Sequence, residues 1–183
     1  PKRRLVVQDS PVAQKRAQNL PAKERIAAYA AALVGPDDFV YVDAGSSTML
    51  LVEHLTETRA TFVTNSLPHA QALLAKGAKT YLLGGTVKPV TEAVVGPDAI
   101  ATLGRMHFTV GFWGTNGISP DAGFTTPELE EARVKEASLR QAQSAYVLAD
   151  ASKFGQVSLV TFAQFDQATV ITDHVDTDGT YGK

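Results

Sequence analysis

The chain has 183 residues, of which 44% are hydrophobic and 20% charged, and such a composition is typical of a folded globular domain. Its net charge of −2 and pI of about 6.1 lack the basic excess of a nucleic-acid-binding surface. Because the sequence has no cysteine, disulfide bonds, thiolate metal sites and cysteine nucleophiles are excluded.

Membrane attachment and export are not indicated either. No apolar run approaches the ~20 residues that cross a bilayer. The basic start at residues 2–4 is not followed by the apolar segment of a signal peptide. We therefore expect a cytoplasmic protein without membrane contact. Since the first residue is Pro1 rather than methionine, we also expect the chain to be a fragment of a longer protein.

Helix and strand patterns alternate along the chain after a mixed segment of about 20 residues, which includes a short strand pattern at residues 5–7 and which we expect to connect into the domain. Helices are predicted at residues 21–33, from 49 onward, and at 65–76, 97–103 and 127–143. Strands are predicted at residues 39–42, 60–64, 79–83, 107–113, 145–148 and 169–172. Residues 94–95 and 159–162 are apolar, but their pattern does not decide between helix and strand. The polar tail from residue 173 is expected to fray.

This alternation predicts an α/β fold with a mostly parallel central sheet flanked by helices. In such sheets ligands bind beyond the carboxyl ends of the strands, near a change in strand order. We therefore expect a polar ligand pocket at these ends, although exposed loops are polar for a simpler reason. The polar and small residues that follow the strands are Asp43, Gly45, Ser46, Ser47, Thr48, Asn65, Ser66, Gly84, Gly85, Gly114, Thr115, Asn116, Gly117, Asp150, Ser152 and Lys153.

The turn at residues 43–48 carries the most specific signal. A buried strand, a turn of small residues and a helix place several unpaired N–H groups, and roughly +0.5 charge, at one point. A phosphate group fits there. Gly45 has no side chain and lets a ligand approach the backbone closely, and Ser46, Ser47 and Thr48 add hydroxyl donors. The alternative is that Ser46 or Ser47 only caps the helix.

Recognition of a sugar phosphate also needs a cation and groups for the hydroxyls. Lys153 is the candidate cation, with an exposed surface lysine as the alternative. Asp43, Asn65, Asn116 and Thr126 are candidates for the hydroxyls, although Asp43 has the alternative role of bracing its own turn.

Metal and cofactor sites are not predicted. The four histidines share no ligand spacing, and His54 and His69 are expected on helix surfaces. The charged residues at 128–136 are expected to form a solvated helix face with pairs such as Glu131 and Lys135.

Several motifs together resemble the C-terminal sensor domain of DeoR-type transcriptional regulators. The resemblance implies a fold similar to that of ribose-5-phosphate isomerase and the CoA-transferase-like proteins. The matching stretches are KERIA (23–27), FVYVDAGSST (39–48), VTNS (63–66), LLGG (82–85), GTNGI (114–118), GFTTP (123–127) and LADASKFG (148–155).

The resemblance also implies a function and a domain organisation. Residues 21–173 would form a sensor that binds a phosphorylated sugar, residues 1–20 a linker and residues 174–183 a polar tail. DNA would be contacted only through a winged helix-turn-helix absent from this chain. The expected whole is a homo-oligomeric repressor of sugar metabolism.

Two other functions remain open at this point. An aldose–ketose phosphate isomerase would share the fold, but Thr115 and Asn116 stand where those enzymes carry acidic residues, and neither supplies the base that the reaction needs. Asp121 and Glu128 are close enough in sequence to take that role. A pure oligomerisation module is the third reading. We therefore expect a binding protein with no catalytic residues.

Overall fold

The computed structural model describes residues 4–6, as backbone alone, and residues 19–182. Five α-helices lie in this part of the chain: α1 (Leu20–Ala31), α2 (Ser46–His54), α3 (Leu67–Ala75), α4 (Pro97–Leu103) and α5 (Leu129–Leu139). Three of them carry proline in the first turn, where its missing N–H removes no helical hydrogen bond. None of these helices has the length and apolar character needed to cross a bilayer.

The strands form one large sheet and several small ones. They are β1 (Arg4–Val6), β2 (Phe39–Val42), β3 (Thr61–Thr64), β4 (Lys79–Leu82), β5 (Thr86–Val87), β6 (Val94–Val95), β7 (Phe108–Gly114), β8 (Gly117–Ser119), β9 (Gly123–Thr126), β10 (Ala142–Leu148), β11 (Gln156–Ser158), β12 (Val160–Ala163) and β13 (Thr169–Ile171).

The large sheet has six parallel strands in the order β13-β10-β7-β2-β3-β4. From β2 the chain builds outward through β3 and β4, and then returns to the other side of β2 to add β7, β10 and β13. The strand order therefore reverses between β2 and β7, which is where sheets of this type bind ligands. Val42 pairs with Phe112, and the Asp43 N–H donates to the Phe112 carbonyl at 2.9 Å, so both strands end side by side.

Side chains of the central strands alternate between two hydrophobic cores. Val40 and Val42 pack with α1 and α2, where Leu50 is fully buried. Tyr41 points to the opposite face and joins the core that includes Val134 of α5. The two-residue period of the strands thus covers the sheet with helices on both faces. The predicted α/β fold with a mostly parallel sheet is confirmed.

The small strands were largely missed by the sequence reasoning. Strands β8, β9 and β12 form an antiparallel sheet, β5 pairs with β6, and β1 pairs in parallel with β11. These strands have two to four residues each, too few to show a clear alternation. Most of the predicted linker, residues 1–3 and 7–18, lies outside the described residues.

One boundary prediction was wrong for a physical reason. The helix predicted to residue 143 ends at Leu139, because Ala142 pairs with Phe108 and begins β10. In the polar tail, the Tyr181 ring lies 4.8 Å from the Phe154 ring, at an interplanar angle of 90°.

Candidate functional site

A cleft opens at the carboxyl ends of β2 and β7, at the reversal of strand order. Its volume is about 50 Å³, enough for a few water molecules, and the cleft is partly open to solvent. Its lining residues are Lys23, Ala44, Gly45, Ser46, Ser47, Thr91, Gly114, Thr115, Asn116, Thr126, Glu131, Lys135 and Lys153.

The N-terminus of α2 forms one wall of the cleft. Gly45 is its N-cap residue, with φ 145° and ψ 170°, and no described side chain caps the helix. Ser46 is the first helical residue, so the alternative that Ser46 or Ser47 caps α2 is wrong. The N–H groups of the first turn therefore keep their capacity to bind an anion.

A buried hydrogen-bond network holds this turn from behind. The Thr48 hydroxyl donates to the Asp43 carbonyl and lies 3.0 Å from His69 Nε2. His69 Nδ1 lies 2.6 Å from the Ser66 hydroxyl. Burial lowers the pKa of His69 to about 4, so this imidazole is neutral near pH 7. The predicted surface position of His69 is wrong, because its side chain is fully buried.

Asn65 completes the support of the turn. Its side-chain oxygen accepts the Ala44 N–H at 3.1 Å, and its amide nitrogen donates to the Val94 carbonyl at 3.3 Å. Asn65 therefore joins the turn to β6, and both ends of its side-chain amide form hydrogen bonds with backbone groups.

A buried ion pair lies at the base of the cleft. Lys135 Nζ donates to Asp43 Oδ2, and also to the Gly114 carbonyl at 3.0 Å. The same Asp43 oxygen accepts the Gly114 N–H at 3.2 Å. Burial raises the pKa of Asp43, and the charge of Lys135 opposes that rise. The pair thus ties the ends of β2 and β7 to helix α5.

Glu131 lies one helical turn before Lys135 and lines the same cleft. Its Oε1 accepts a hydrogen bond from the Thr91 hydroxyl at 3.0 Å. Burial raises the pKa of Glu131, against the opposing effects of the Thr91 hydrogen bond and the Lys135 charge. The prediction that this part of α5 is a solvated face was wrong for Lys135, which is 8% exposed and pairs with Asp43 rather than with Glu131.

Two further lysines reach the cleft from opposite ends of the chain. Lys23 belongs to α1 and is 2% exposed, and Lys153 follows β10 in a short 3₁₀ turn. Burial lowers the pKa of Lys23, and the nearby positive charge of Lys153 lowers it further, while Asp150 opposes both. The two ammonium groups are therefore close enough to repel each other.

The structure brings about half of the predicted site residues to the cleft surface. Those that line it are Gly45, Ser46, Ser47, Gly114, Thr115, Asn116, Thr126 and Lys153. Those that do not are Asp43, Thr48, Asn65, Ser66, Gly84, Gly85 and Gly117.

Except for Gly84, the residues away from the surface have structural roles. Asp43, Thr48, Asn65 and Ser66 support the turn through the contacts above. A Cβ on Gly85 would lie 2.4 Å from the Val95 carbonyl, and one on Gly117 would lie 2.4 Å from the Gln156 carbonyl. Both glycines thus permit close approach of neighbouring backbone.

Among the cleft-lining residues, the hydroxyl and amide groups near β7 are partly engaged with one another. The Thr126 hydroxyl donates to Asn116 Oδ1 at 3.3 Å. The Thr115 hydroxyl has the carbonyls of Gly117 and Thr125 within reach, at 2.9 and 3.1 Å. Thr115 is thus held in place as part of the loop.

Lys23, Thr91, Glu131 and Lys135 were not predicted as site residues. Lys135 lies within α5 and belongs to none of the motifs, whereas Lys23 begins the KERIA stretch, which was matched to the family but not to the site. Lys135 is held in the cleft by Asp43, which lies 92 residues earlier in the chain. Lys23 lies near the charges of Lys153 and Asp150, at the other end of the chain. A buried lysine inside a charge-rich helix gives no local signal, because its partner is fixed only by the fold.

The carboxylates proposed to replace an isomerase base are also placed by the structure. Glu128 caps α5 by accepting the N–H groups of Glu130 and Glu131, and it lies 3.4 Å from Lys88 Nζ. Asp121 is exposed, and neither residue lines the cleft. Within residues 19–182, no three histidine or carboxylate side chains are grouped as a metal site requires.

The cleft therefore combines an uncapped helix N-terminus, three lysines and one glutamate with several hydroxyl and amide groups. The helix end and the lysines suit an anion, whereas glutamate, hydroxyl and amide groups suit the hydroxyls of a polyol. Such a cleft is chemically matched to a molecule that carries both kinds of group.

Comparisons with known proteins identify the family of the chain. The family model of the DeoR C terminal sensor domain matches residues 18–174. The uncharacterized HTH-type transcriptional regulator FruR of Bacillus subtilis is 42% identical over 87% of this chain and 64% of its own length. The lactose phosphotransferase system repressor of Streptococcus mutans is 32% identical over 90% of this chain and 67% of its own length.

The fold is shared with an enzyme of distant sequence. Ribose 5-phosphate isomerase A from Methanocaldococcus jannaschii superposes with a TM-score of 0.53 at 15% identity, covering 75% of this chain and 55% of the enzyme. This likeness confirms the predicted fold and carries no statement about activity. Because the family match extends over most of the chain, the protein belongs to the family of DeoR C-terminal sensor domains.

Proposed function

We propose that the cleft binds a phosphorylated sugar without turning it over, and that the domain thereby acts as the effector sensor of a transcriptional repressor of sugar metabolism. The phosphate would lie against the α2 N-terminus near Lys153, and the sugar would extend toward α5. The observation that carries the proposal is the convergence of Lys23, Lys153 and the uncapped helix end on one cleft.

The electrostatics of this convergence favour an anionic ligand. Burial lowers the pKa of Lys23, and repulsion from Lys153 lowers it further. A dianion between the two lysines would relieve the repulsion of their ammonium groups. Its oxygens would accept hydrogen bonds from the backbone N–H groups of Gly45, Ser46 and Ser47. Each charge-assisted hydrogen bond contributes about 1.5–3 kcal/mol, so a few are sufficient for micromolar affinity.

The relatives support the regulatory part of the proposal. One of them is by name a repressor of a lactose phosphotransferase system, and another is an HTH-type regulator. The chain spans 64% of the length of the Bacillus protein. Binding of DNA through a winged helix-turn-helix, homo-oligomer assembly and a cytoplasmic location are therefore properties that we propose for the protein as a whole.

Control of the DNA-binding module would follow from a shift between two arrangements of the domain. The effector must bind one arrangement more tightly, since equal affinity for both would change nothing. The Asp43–Lys135 pair joins the cleft to α5, so it is a natural point at which the two arrangements would differ.

Calorimetric titration of the domain with sugar phosphates and their unphosphorylated parents tests the proposal. We expect binding only of phosphorylated compounds, and a loss of about tenfold or more in Lys153→Ala. Lys79→Ala is the matched control, because Lys79 is exposed on β4 and does not line the cleft. Absence of binding by every phosphorylated sugar, or equal losses in both variants, would contradict the proposal.

A further inference from the structure

We propose that Glu131 and Lys135 form a hydroxyl-reading wall on α5, which selects a polyhydroxylated effector and fixes its orientation relative to the phosphate. This inference rests on the proposed function, and it assigns a specificity-determining role to two residues of the helix opposite the α2 N-terminus. Both residues line the cleft and are separated by one helical turn.

The contacts leave each residue with one group to offer. A lysine ammonium has three N–H donors, and Lys135 directs two of them to Asp43 and the Gly114 carbonyl. Its Nζ also lies 5.1 Å from the centre of the Phe162 ring, which leaves one N–H without a hydrogen-bond acceptor among the described residues. On Glu131, the Thr91 hydroxyl occupies Oε1, while Oε2 has no hydrogen-bond partner among the described residues. The wall therefore offers one donor and one acceptor to the cleft.

A donor beside an acceptor matches a hydroxyl group. An alcohol accepts a hydrogen bond through its oxygen and donates one through its proton, so a hydroxyl or a vicinal pair satisfies both residues. A hydrogen atom at that carbon would satisfy neither and would leave polar groups desolvated, which is the usual basis for rejecting deoxy analogues.

The same wall disfavours phosphate. A phosphate dianion has only acceptors to offer, and the Glu131 carboxylate would repel it. Because Lys135 is already paired with Asp43, its charge is largely compensated. The phosphate is thus directed to the α2 side of the cleft, where Lys23, Lys153 and the helix end are located, and the hydroxyls to the α5 side.

Thr91 is the positioning residue of this wall. Thr91 lies in the loop between β5 and β6, and its hydroxyl donates to Glu131 Oε1 at 3.0 Å. The Thr91 residue is 8% exposed. Because this hydrogen bond already holds the carboxylate in place, less conformational freedom is lost when a ligand binds to Glu131.

Calorimetry with inorganic phosphate, ribose 5-phosphate, fructose 1-phosphate, fructose 6-phosphate and galactose 6-phosphate tests the inference. The quantity of interest is the affinity of the tightest sugar phosphate divided by that of inorganic phosphate. We expect this ratio to exceed about tenfold in the unmodified domain and to fall about tenfold in Glu131→Ala. Glu130→Ala is the matched control, since it removes the same charge from an exposed position on the same helix.

Thr91→Val provides a second variant of nearly unchanged shape. It should lower the ratio by a smaller factor, because the carboxylate remains but loses its anchor. A ratio that Glu131→Ala leaves within about twofold of the unmodified domain would overturn the inference, as would equal affinity for phosphate and all sugar phosphates. Binding of none of these compounds would instead contradict the proposed function itself, and the inference with it.

Discussion

The two walls of the cleft are built in different ways. The α2 wall consists of backbone N–H groups and small side chains at Gly45, Ser46 and Ser47, all from one turn of the chain. The α5 wall consists of two long charged side chains, Glu131 and Lys135, that are held by partners far away in sequence. One wall is thus a property of local geometry, and the other of the tertiary fold.

This difference determines what each wall can recognise. Backbone N–H groups at a helix end bind anions with little loss of side-chain entropy, but they cannot distinguish one phosphorylated compound from another. Side chains with a donor and an acceptor distinguish hydroxyl patterns, but only when they are held in place. Under the proposed function, phosphate recognition therefore belongs to the α2 wall and sugar discrimination to the α5 wall.

Loss of Lys135 would break the α5 wall most severely. Lys135→Met leaves the buried Asp43 carboxylate without its partner, so the free energy of unfolding should fall by about 3–5 kcal/mol. Urea unfolding followed by the fluorescence of Trp113, the single tryptophan, measures the change. The double variant Asp43→Asn with Lys135→Met should recover most of the loss, because no unpaired charge remains. A loss below about 1 kcal/mol in the single variant would show that the pair is not buried as described.

Lowering the pH should weaken the hydrogen-bond network behind the α2 wall, because His69 is neutral in that network. With a pKa of about 4 in the folded chain against 6.5 ordinarily, the unfolded chain binds the additional proton between these values. Stability contributed by the neutral imidazole is therefore present at pH 7 and lost as the pH falls from 6.5 toward 4, by about 3 kcal/mol in all.

Unfolding free energies at pH 7 and pH 4 measure this dependence. His69→Asn should be less stable at pH 7 and should lack this part of the pH dependence. His54→Gln should retain it, because His54 is exposed and is not part of the buried network of Thr48, Ser66 and His69. An identical pH dependence in His69→Asn and the unmodified domain would contradict the buried network.

The smallest of these effects concerns the geometry of the α2 wall itself. Gly45 has φ 145° and ψ 170°, a conformation open almost only to glycine, so Gly45→Ala should cost about 1–3 kcal/mol of stability. Phosphate affinity should fall as well, because the N–H groups of α2 would be displaced. Gly84→Ala is the control, since Gly84 has no positive φ and a Cβ there would contact nothing within 4 Å. Equal stability of the two variants would show that the turn does not need glycine.

The comparison also explains how much was predictable from the sequence. The α2 wall was accessible because a strand, a small-residue turn and a helix follow one another directly, and local rules are sufficient there. The six parallel strands were likewise predicted as alternating elements, with shifts of a few residues where strand pairing ended a helix early, as at Ala142.

The α5 wall was not accessible for the opposite reason. Glu131 and Lys135 stand four residues apart, a spacing that most often marks an exposed ion pair, and this was the prediction. In the fold, Lys135 instead pairs with Asp43, and Glu131 with Thr91. The same holds for His69, whose burial depends on contacts with Thr48 and Ser66 rather than on its own helix pattern.

The central claim is that an anionic ligand docks at the N-terminus of α2. Two-dimensional NMR of the ¹⁵N-labelled domain, titrated with inorganic phosphate and with fructose 6-phosphate, tests it most directly. We predict saturable shifts of the Gly45, Ser46 and Ser47 amide signals, reduced in Lys153→Ala. Shifts confined to other surfaces, with these three amides unchanged at saturation, would contradict the account.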